Sequence, residues 1–232
     1  MLSAPLRVAV MCSRRAPGLT HLLARAKDAP LPWRIVCCLT SEETFEEQGL
    51  VERARIPIIR HPARRFYAEH APMARFSDLG VRQEYDAMTT LMLTKHWPDI
   101  VLLSGYLLKL TGPMLETYDR RILNVHHADL LLRDDSGAPR YPGLRAVRDA
   151  ILAGERETRC TVHVVTEQLD DGPVLLRSGA FPVPEAAAWA RARGEADVLK
   201  PIIWAQQEWM LREAFGPLME QTLGLDRVES VS

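Results

Sequence analysis

Short runs of β-branched and aliphatic residues alternate with stretches of helical period along the first half of the chain. Residues 6–12, Leu-Arg-Val-Ala-Val-Met-Cys, predict a buried strand, and 18–28 follow with apolar positions spaced for a helix. A second strand is expected over 33–40. A Glu-rich helix over 41–54, opened by Ser41, comes next. A third strand falls at 56–61. The pattern then predicts a long helix over 79–97, with Val81, Tyr85, Met88, Leu91 and Met92 at steps of three and four. Residues 99–106 form the most hydrophobic strand and are expected at the centre of the sheet. A short helix over 112–118 leads into a fifth strand that ends in Arg121-Ile122-Leu123-Asn124-Val125-His126.

Alternation at this spacing argues for an α/β fold, a parallel sheet with helices on both faces and right-handed crossovers. Beyond residue 155 the pattern changes. Residues 158–183 read as two strands joined by a turn at Asp170-Asp171-Gly172-Pro173. Residues 195–223 are helical, with interruptions expected near Pro201 and Gly216, and are predicted to cover the sheet. The expectation is a single domain over 1–232. A Rossmann-like half spans 1–127; a second half, 128–232, carries a loop, a C-terminal β-hairpin and the cover helix.

Composition adds limits. Hydrophobic residues make up 47% and charged residues 25%, ordinary for a globular chain. A net charge of −1 gives no global attraction to nucleic acid or to an acidic membrane. No apolar run reaches the ~20 residues needed to span a bilayer. Cys12, Cys37, Cys38 and Cys160 lack the spacing of a zinc site, so buried thiols in a cytoplasmic protein without a metal are expected. Trp189, Trp204 and Trp209 are expected in the core, and the acids between Glu42 and Glu47 on a solvated helix face. His127 and His163 read as structural histidines.

The fifth strand holds the candidate chemistry. Alternation puts Asn124 and His126 on one face and Leu123 and Val125 on the other. A polar strand end hydrogen-bonding to a loop would explain this without any reaction. Ligands in such sheets, however, bind beyond the carboxyl ends of the strands. Ser13, Arg14 and Arg15 after the first strand, and Ser104-Gly105-Tyr106 after the fourth, are expected on the same rim. A carboxamide N–H and an imidazolium aimed at one point suit an oxyanion of acyl transfer. A carboxylate from the 170–171 turn would raise the imidazole pKa and could take a proton from an attacking amine. No Gly-x-Ser-x-Gly stands near His126, which disfavours a serine nucleophile.

The ordered set Ser104-Gly105-Tyr106, Asn124-Val125-His126, Tyr141-Pro142-Gly143, Val162-His163 and Leu169-Asp170-Asp171-Gly172-Pro173 resembles the folate-dependent formyltransferase family, most closely its phosphoribosylglycinamide branch. The resemblance covers roughly residues 6–183. It implies the formyltransferase variant of the Rossmann-like fold and formyl transfer from 10-formyltetrahydrofolate to a primary amine through a tetrahedral intermediate. A phosphoribosylglycinamide-type acceptor comes first. An amino sugar, hydrolysis of the formyl donor, and folate binding with little catalysis are the alternatives. Asn124 and His126 match the family's oxyanion pair and Asp170 its carboxylate. Leu107, Leu108, Lys109 and Leu110 match one wall of the folate pocket, Thr166 and Leu169 the other, and Arg82 an arginine directed at the folate. Ser13, Arg14, Arg15 and Gly18 match the loop that holds the acceptor. The implied partners are small molecules, not nucleic acid or membrane, in a monomer or homodimer.

The departures sit on the acceptor side. The family loop Ser-Gly-x-Gly-Ser-Asn cradles a phosphate on its backbone N–H groups. Here it reads Ser13-Arg14-Arg15-Ala16-Pro17-Gly18, with one N–H removed by proline. The two arginines are either a bidentate clamp in its place or a solvated surface pair. His-Pro-Ser becomes His126-His127-Ala128, and extra residues around 133–139 lengthen the next loop.

Overall fold

The computed structural model describes residues 4–28 and 30–225. In chain order the elements begin β1 (Leu6–Cys12), α1 (Leu19–Asp28), β2 (Trp33–Thr40), α2 (Gln48–Arg53), β3 (Ile58–Arg60) and α3 (Ala63–His70). They continue with α4 (Leu79–Thr94), β4 (Ile100–Leu103), α5 (Gly112–Thr117), β5 (Ile122–His126) and α6 (Ala146–Ala153). The rest comprises β6 (Glu157–Thr158), β7 (Thr161–Val164), β8 (Val174–Arg177), β9 (Phe181–Pro182), α7 (Glu185–Arg193) and α8 (Ala196–Leu223). Seven strands form one sheet in the order β3-β2-β1-β4-β5-β7-β8, and β6 pairs with β9 separately. The first five strands of that order run parallel; β7 and β8 are antiparallel. The expected α/β fold is present, with β4 at the centre.

Alternation along each strand sorts the core into two layers. Val8, Val10, Leu102, Leu123 and Val125 face α1 and α8, meeting Leu19, Leu22, Phe215 and Met219. Ala9, Met11, Val101, Leu103 and Ile122 face the other way, onto Leu93, Met114 and Tyr118. The chain winds outward from β1 through β2 to β3, then returns to lay β4 on the opposite side of β1. That reversal opens a crevice at the carboxyl ends of β1 and β4. There the Ser13 N–H donates to the Gly105 carbonyl at 3.1 Å, and the Ser104 hydroxyl donates to the Pro17 carbonyl.

Three expectations need correction. The helix over 41–54 shrinks to α2, because Glu42, Glu46 and Glu47 turn back as a loop toward Arg14, Arg15 and the Ala16 N–H. α8 runs unbroken through Pro201 and Pro217. Each proline frees the carbonyl four residues earlier, and Asp197 and Glu213 are both exposed, so water can take those groups. Trp189 and Trp204 are 63% and 67% exposed, and Trp209 is partly covered, so none belongs to the core. α3, α6, α7 and the β6–β9 pair were not legible at all. The four cysteines are buried and unpaired, and burial pushes the Cys12 and Cys37 thiols up to about 12, which keeps them inert.

α8 closes on α1 through two glycines. Gly18 has φ +86°, and a Cβ there would lie 2.7 Å from the Gly216 nitrogen. A Cβ on Gly216 would lie 2.4 Å from the His21 Cβ. Glu220 then accepts from His21 Nε2 at 2.6 Å and Arg25 Nε at 2.7 Å, tying the two helices beside the contact. Gly216→Ala tests this crossing. Helix propensity alone favours alanine by ~1 kcal/mol. Overpacking against backbone and Cβ costs about 1–3 kcal/mol, so the urea midpoint should fall. A rise would show that the helices do not approach this closely.

Candidate active site

Antiparallel pairing places Asn124 opposite His163, so both side chains leave the same face of the sheet. The His163 Nδ1–H donates to the Val164 carbonyl at 3.0 Å, which leaves Nε2 to accept from Asn124 Nδ2 at 3.1 Å. Asp170 approaches from the turn after β7. Its backbone is left-handed, at φ 53°, a conformation that aspartate tolerates better than most residues. One carboxylate oxygen, Oδ2, accepts the Gly143 N–H at 2.7 Å and lies 3.6 Å from His126 Nδ1. The other, Oδ1, lies 3.5 Å from His163 Nε2. His126 Nε2 donates to the Tyr141 carbonyl at 3.1 Å. Tyr141-Pro142-Gly143 therefore braces both the imidazole and the carboxylate with backbone groups.

The electrostatics differ from the simple expectation. Burial lowers the His126 pKa below its ordinary 6.5; the Asp170 charge and the Tyr141 carbonyl push it back up, but by less. Burial also opposes the charge on Asp170. The His163 ring beside it, the His126 charge and the Gly143 N–H outweigh it and hold Asp170 at about 2. Asp170 is thus an anion at every working pH. His127, stacked with its ring centre 5.1 Å from that of His126, is held at about 4 by burial and by the His126 charge.

These groups open into a cleft of about 520 Å³. One wall is Tyr106 to Leu110; the facing wall includes Val165, Thr166, Gln168 and Leu169. The backbone groups of 108–110 have no hydrogen-bond partner among the described residues. The buried carboxylate of Asp86 fixes this segment from behind, accepting from the Thr111 N–H and hydroxyl at 2.7 Å each. Arg14, Arg15 and Pro17 border the cleft from the β1–α1 loop, and Gln207, Leu211 and Phe215 from α8.

Comparison with known proteins adds to this geometry. The profile of the Formyl transferase family matches residues 6–185. The chain belongs to that family. Phosphoribosylglycinamide formyltransferase of Mycobacterium tuberculosis is 30% identical over 182 residues, covering 78% of this chain and 73% of that protein. The trifunctional purine biosynthetic protein adenosine-3 of Drosophila melanogaster is 29% identical over 145 residues, 62% of this chain and only 10% of that protein. The solved glycinamide ribonucleotide transformylase 1 of Symbiobacterium toebii superposes with a TM-score of 0.64 at 25% identity, covering 89% of this chain and 86% of that one.

In this member of the Formyl transferase family, Asn124, His126 and Asp170 are brought together. Leu107, Leu108, Lys109, Leu110, Thr166 and Leu169 line the cleft beside them, as do Arg14 and Arg15. Three candidates fall elsewhere. Arg82 is 3% exposed behind the wall, 3.4 Å from Asp86 and over the Tyr85 ring, because its helix turns that face inward. The Ser13 hydroxyl is spent on Ser41 at 2.7 Å and on the Leu107 N–H at 3.1 Å. Gly18 serves the α1–α8 contact and does not line the cleft. Sequence reasoning missed His163, although its place on an alternating strand opposite β5 was a signal. It also missed the bracing by Tyr141 and Gly143, for which the Tyr-x-Gly motif was the only hint. The extra residues at 133–139 form a turn capped by Asp134 on the Ser136 N–H at 2.9 Å, tied to the site by an Arg133–Asp171 ion pair.

The buried imidazoles set a pH window. His61, beneath Arg82, is held at about 4 by burial, by the Arg82 charge and by His70, and His127 also sits at about 4. Both titrate lower in the folded chain than in the unfolded one, so their contribution is complete above pH 6.5 and lost as pH falls to about 4. For buried His61 the loss is roughly 3 kcal/mol. Urea midpoints should drop across this range, and His61→Gln should flatten the drop. A midpoint independent of pH there would place both imidazoles in water.

Proposed function

We propose that this formyl transferase moves the formyl group of 10-formyltetrahydrofolate to a primary amine. The observation that carries the reading is the meeting of Asn124, His126 and Asp170 at the foot of one cleft. The wall at 107–110 suits a pterin, since it offers apolar side chains together with unpaired backbone donors and acceptors. Bound there, 10-formyltetrahydrofolate would supply the activated formyl carbon and depart as tetrahydrofolate. The names of the relatives nominate phosphoribosylglycinamide as the acceptor; other amines, and water, fit the same chemistry.

Each polar group has a part. The second Nδ2–H of Asn124, not used by His163, donates to the formyl oxygen and orients it. His126 gives the second bond, exchanging its long contact with the Tyr141 carbonyl for the oxygen as negative charge develops. Asp170 opposes the lowering of the His126 pKa by burial without cancelling it, and so favours the imidazolium that the developing oxyanion calls for. Held at about 2, Asp170 is too weak a base to take the amine proton by itself, which revises the role expected from sequence. That proton leaves through water in the open cleft.

Asp170→Asn tests the assignment, since asparagine also accepts the left-handed backbone. Turnover, followed as tetrahydrofolate release, should fall ~10²–10³-fold, comparable to losing an oxyanion donor. The range in which His126 is protonated should move to lower pH. A variant that melts lower yet turns over at the normal rate would make Asp170 a turn residue only. Independently, a folate analogue should raise the melting temperature of the native protein by mass action. No shift at saturation would point to a ligand other than folate.

A further inference from the structure

In the loop between β1 and α1, which packs beside the 105–107 segment at the cleft edge, both guanidiniums and the Ala16 N–H face carboxylates of the same chain. The Ala16 N–H donates to Glu47 Oε2 at 2.8 Å. Arg15 makes a two-pronged contact with Glu208 of α8, at 2.7 and 3.0 Å, and its Nε lies 3.2 Å from Glu46. Arg14 lies 3.8 Å from Glu42. The Ser13 hydroxyl is used within the fold, and Pro17 has no N–H to give. Three carboxylates thus face two guanidiniums, and a fourth takes the Ala16 N–H.

We propose that the acceptor end of the cleft takes an amine that carries no phosphate or comparable anion against this loop. The proposal rests on the formyl-transfer reading and deepens it. A phosphate would have to displace tethered carboxylates whose effective concentration is on the order of millimolar or above. It would then share the loop with the charges it displaced. Like charges brought together in a partly dry site repel strongly. The surface that remains beside the loop is Pro17, Leu211 and Phe215, with the Gln207 carboxamide as its neutral polar group. That lining matches an uncharged acceptor body, apolar or hydroxylated. The loop over 41–47 is what makes the difference: as a helix it would have carried its acids out to solvent, whereas its fold delivers Glu46 and Glu47 to Arg15 and Ala16.

The test uses the full chain and two probes. Inorganic phosphate at millimolar concentration should leave the melting temperature of the native protein unchanged. Glu47→Gln combined with Glu208→Gln, which keeps the shape and removes both charges, should create a phosphate-dependent rise. In parallel, phosphoribosylglycinamide and the same molecule without its phosphate are compared at saturating 10-formyltetrahydrofolate. The two kcat/KM values should agree within about fivefold, whereas a recognised phosphate is worth roughly 10–100-fold for each charged hydrogen bond. Three results would each overturn the proposal: a phosphate shift in the native protein, a 100-fold preference for the phosphorylated amine, or a double variant that answers folate but not phosphate. The folate-analogue shift reads the formyl-transfer assignment separately, so loss of that assignment and loss of this one give different data.

Discussion

Asp170 is held in a left-handed backbone conformation while its two oxygens serve three neighbours: the Gly143 N–H, the His126 ring and the His163 ring. Strain of this kind persists only where the surroundings fix it from several sides. Here they do. Gly172, two residues on, packs so tightly that a Cβ would lie 1.8 Å from the Val164 carbonyl oxygen, which pins the turn to the end of β7. β7 pairs with β5, and β5 carries Asn124 and His126. One antiparallel pairing therefore sets the register between the carboxylate and both Asn124 and His126. A slip by one residue would send every one of those side chains to the opposite face.

The buried ion pair behind the 107–110 wall follows similar logic. Arg82 and Asp86 lie on α4, and burial pushes the Asp86 pKa up, against the Arg82 charge and the Thr111 hydrogen bonds. Such pairs contribute little net stability, because removing two charges from water costs about as much as their attraction returns. What Asp86 does contribute is a fixed anchor for the segment that ends at Thr111. Between its ends, the N–H and carbonyl groups of 108–110 have no partner among the described residues, a condition that an irregular stretch sustains only when held at both ends. Ser13 holds the start, through the Leu107 N–H.

The sheet was legible in the sequence because strand length, β-branching and alternation act locally, and five parallel strands need little else. Asn124, His126 and Asp170 were legible through their order along the chain, which is preserved whatever the loops between them do. Arg82 was misread because a helical period locates a buried face but not what lies beneath it. The 41–47 segment was misread for a related reason. Its composition favours a helix, yet tertiary charge pairs with Arg14 and Arg15 outweigh a propensity of a few tenths of a kcal/mol per residue. The interruptions expected near Pro201 and Gly216 misled in the opposite direction: Pro201 and Pro217 are breakers by themselves, yet are tolerated where the carbonyls they release face water.

The two ends of the cleft are built by different means, and that difference bears on what can change. The donor end is mostly backbone: Leu107 to Leu110 on one side, Thr166 to Leu169 on the other, with the Tyr141 carbonyl and Gly143 N–H behind. Side-chain substitution there alters little, because the recognising atoms belong to every residue type. The acceptor end is built from side-chain charges on three separate segments, the β1–α1 loop, the 41–47 loop and α8. Each of those charges can be replaced without moving a strand. α8 can also vary along its inner face, where Gln207, Leu211 and Phe215 meet the cleft, while its hold on α1 through Gly216 and Glu220 stays fixed. The side-chain end can therefore be altered without disturbing the strands that hold Asn124 and His126 or the backbone of the 107–110 wall.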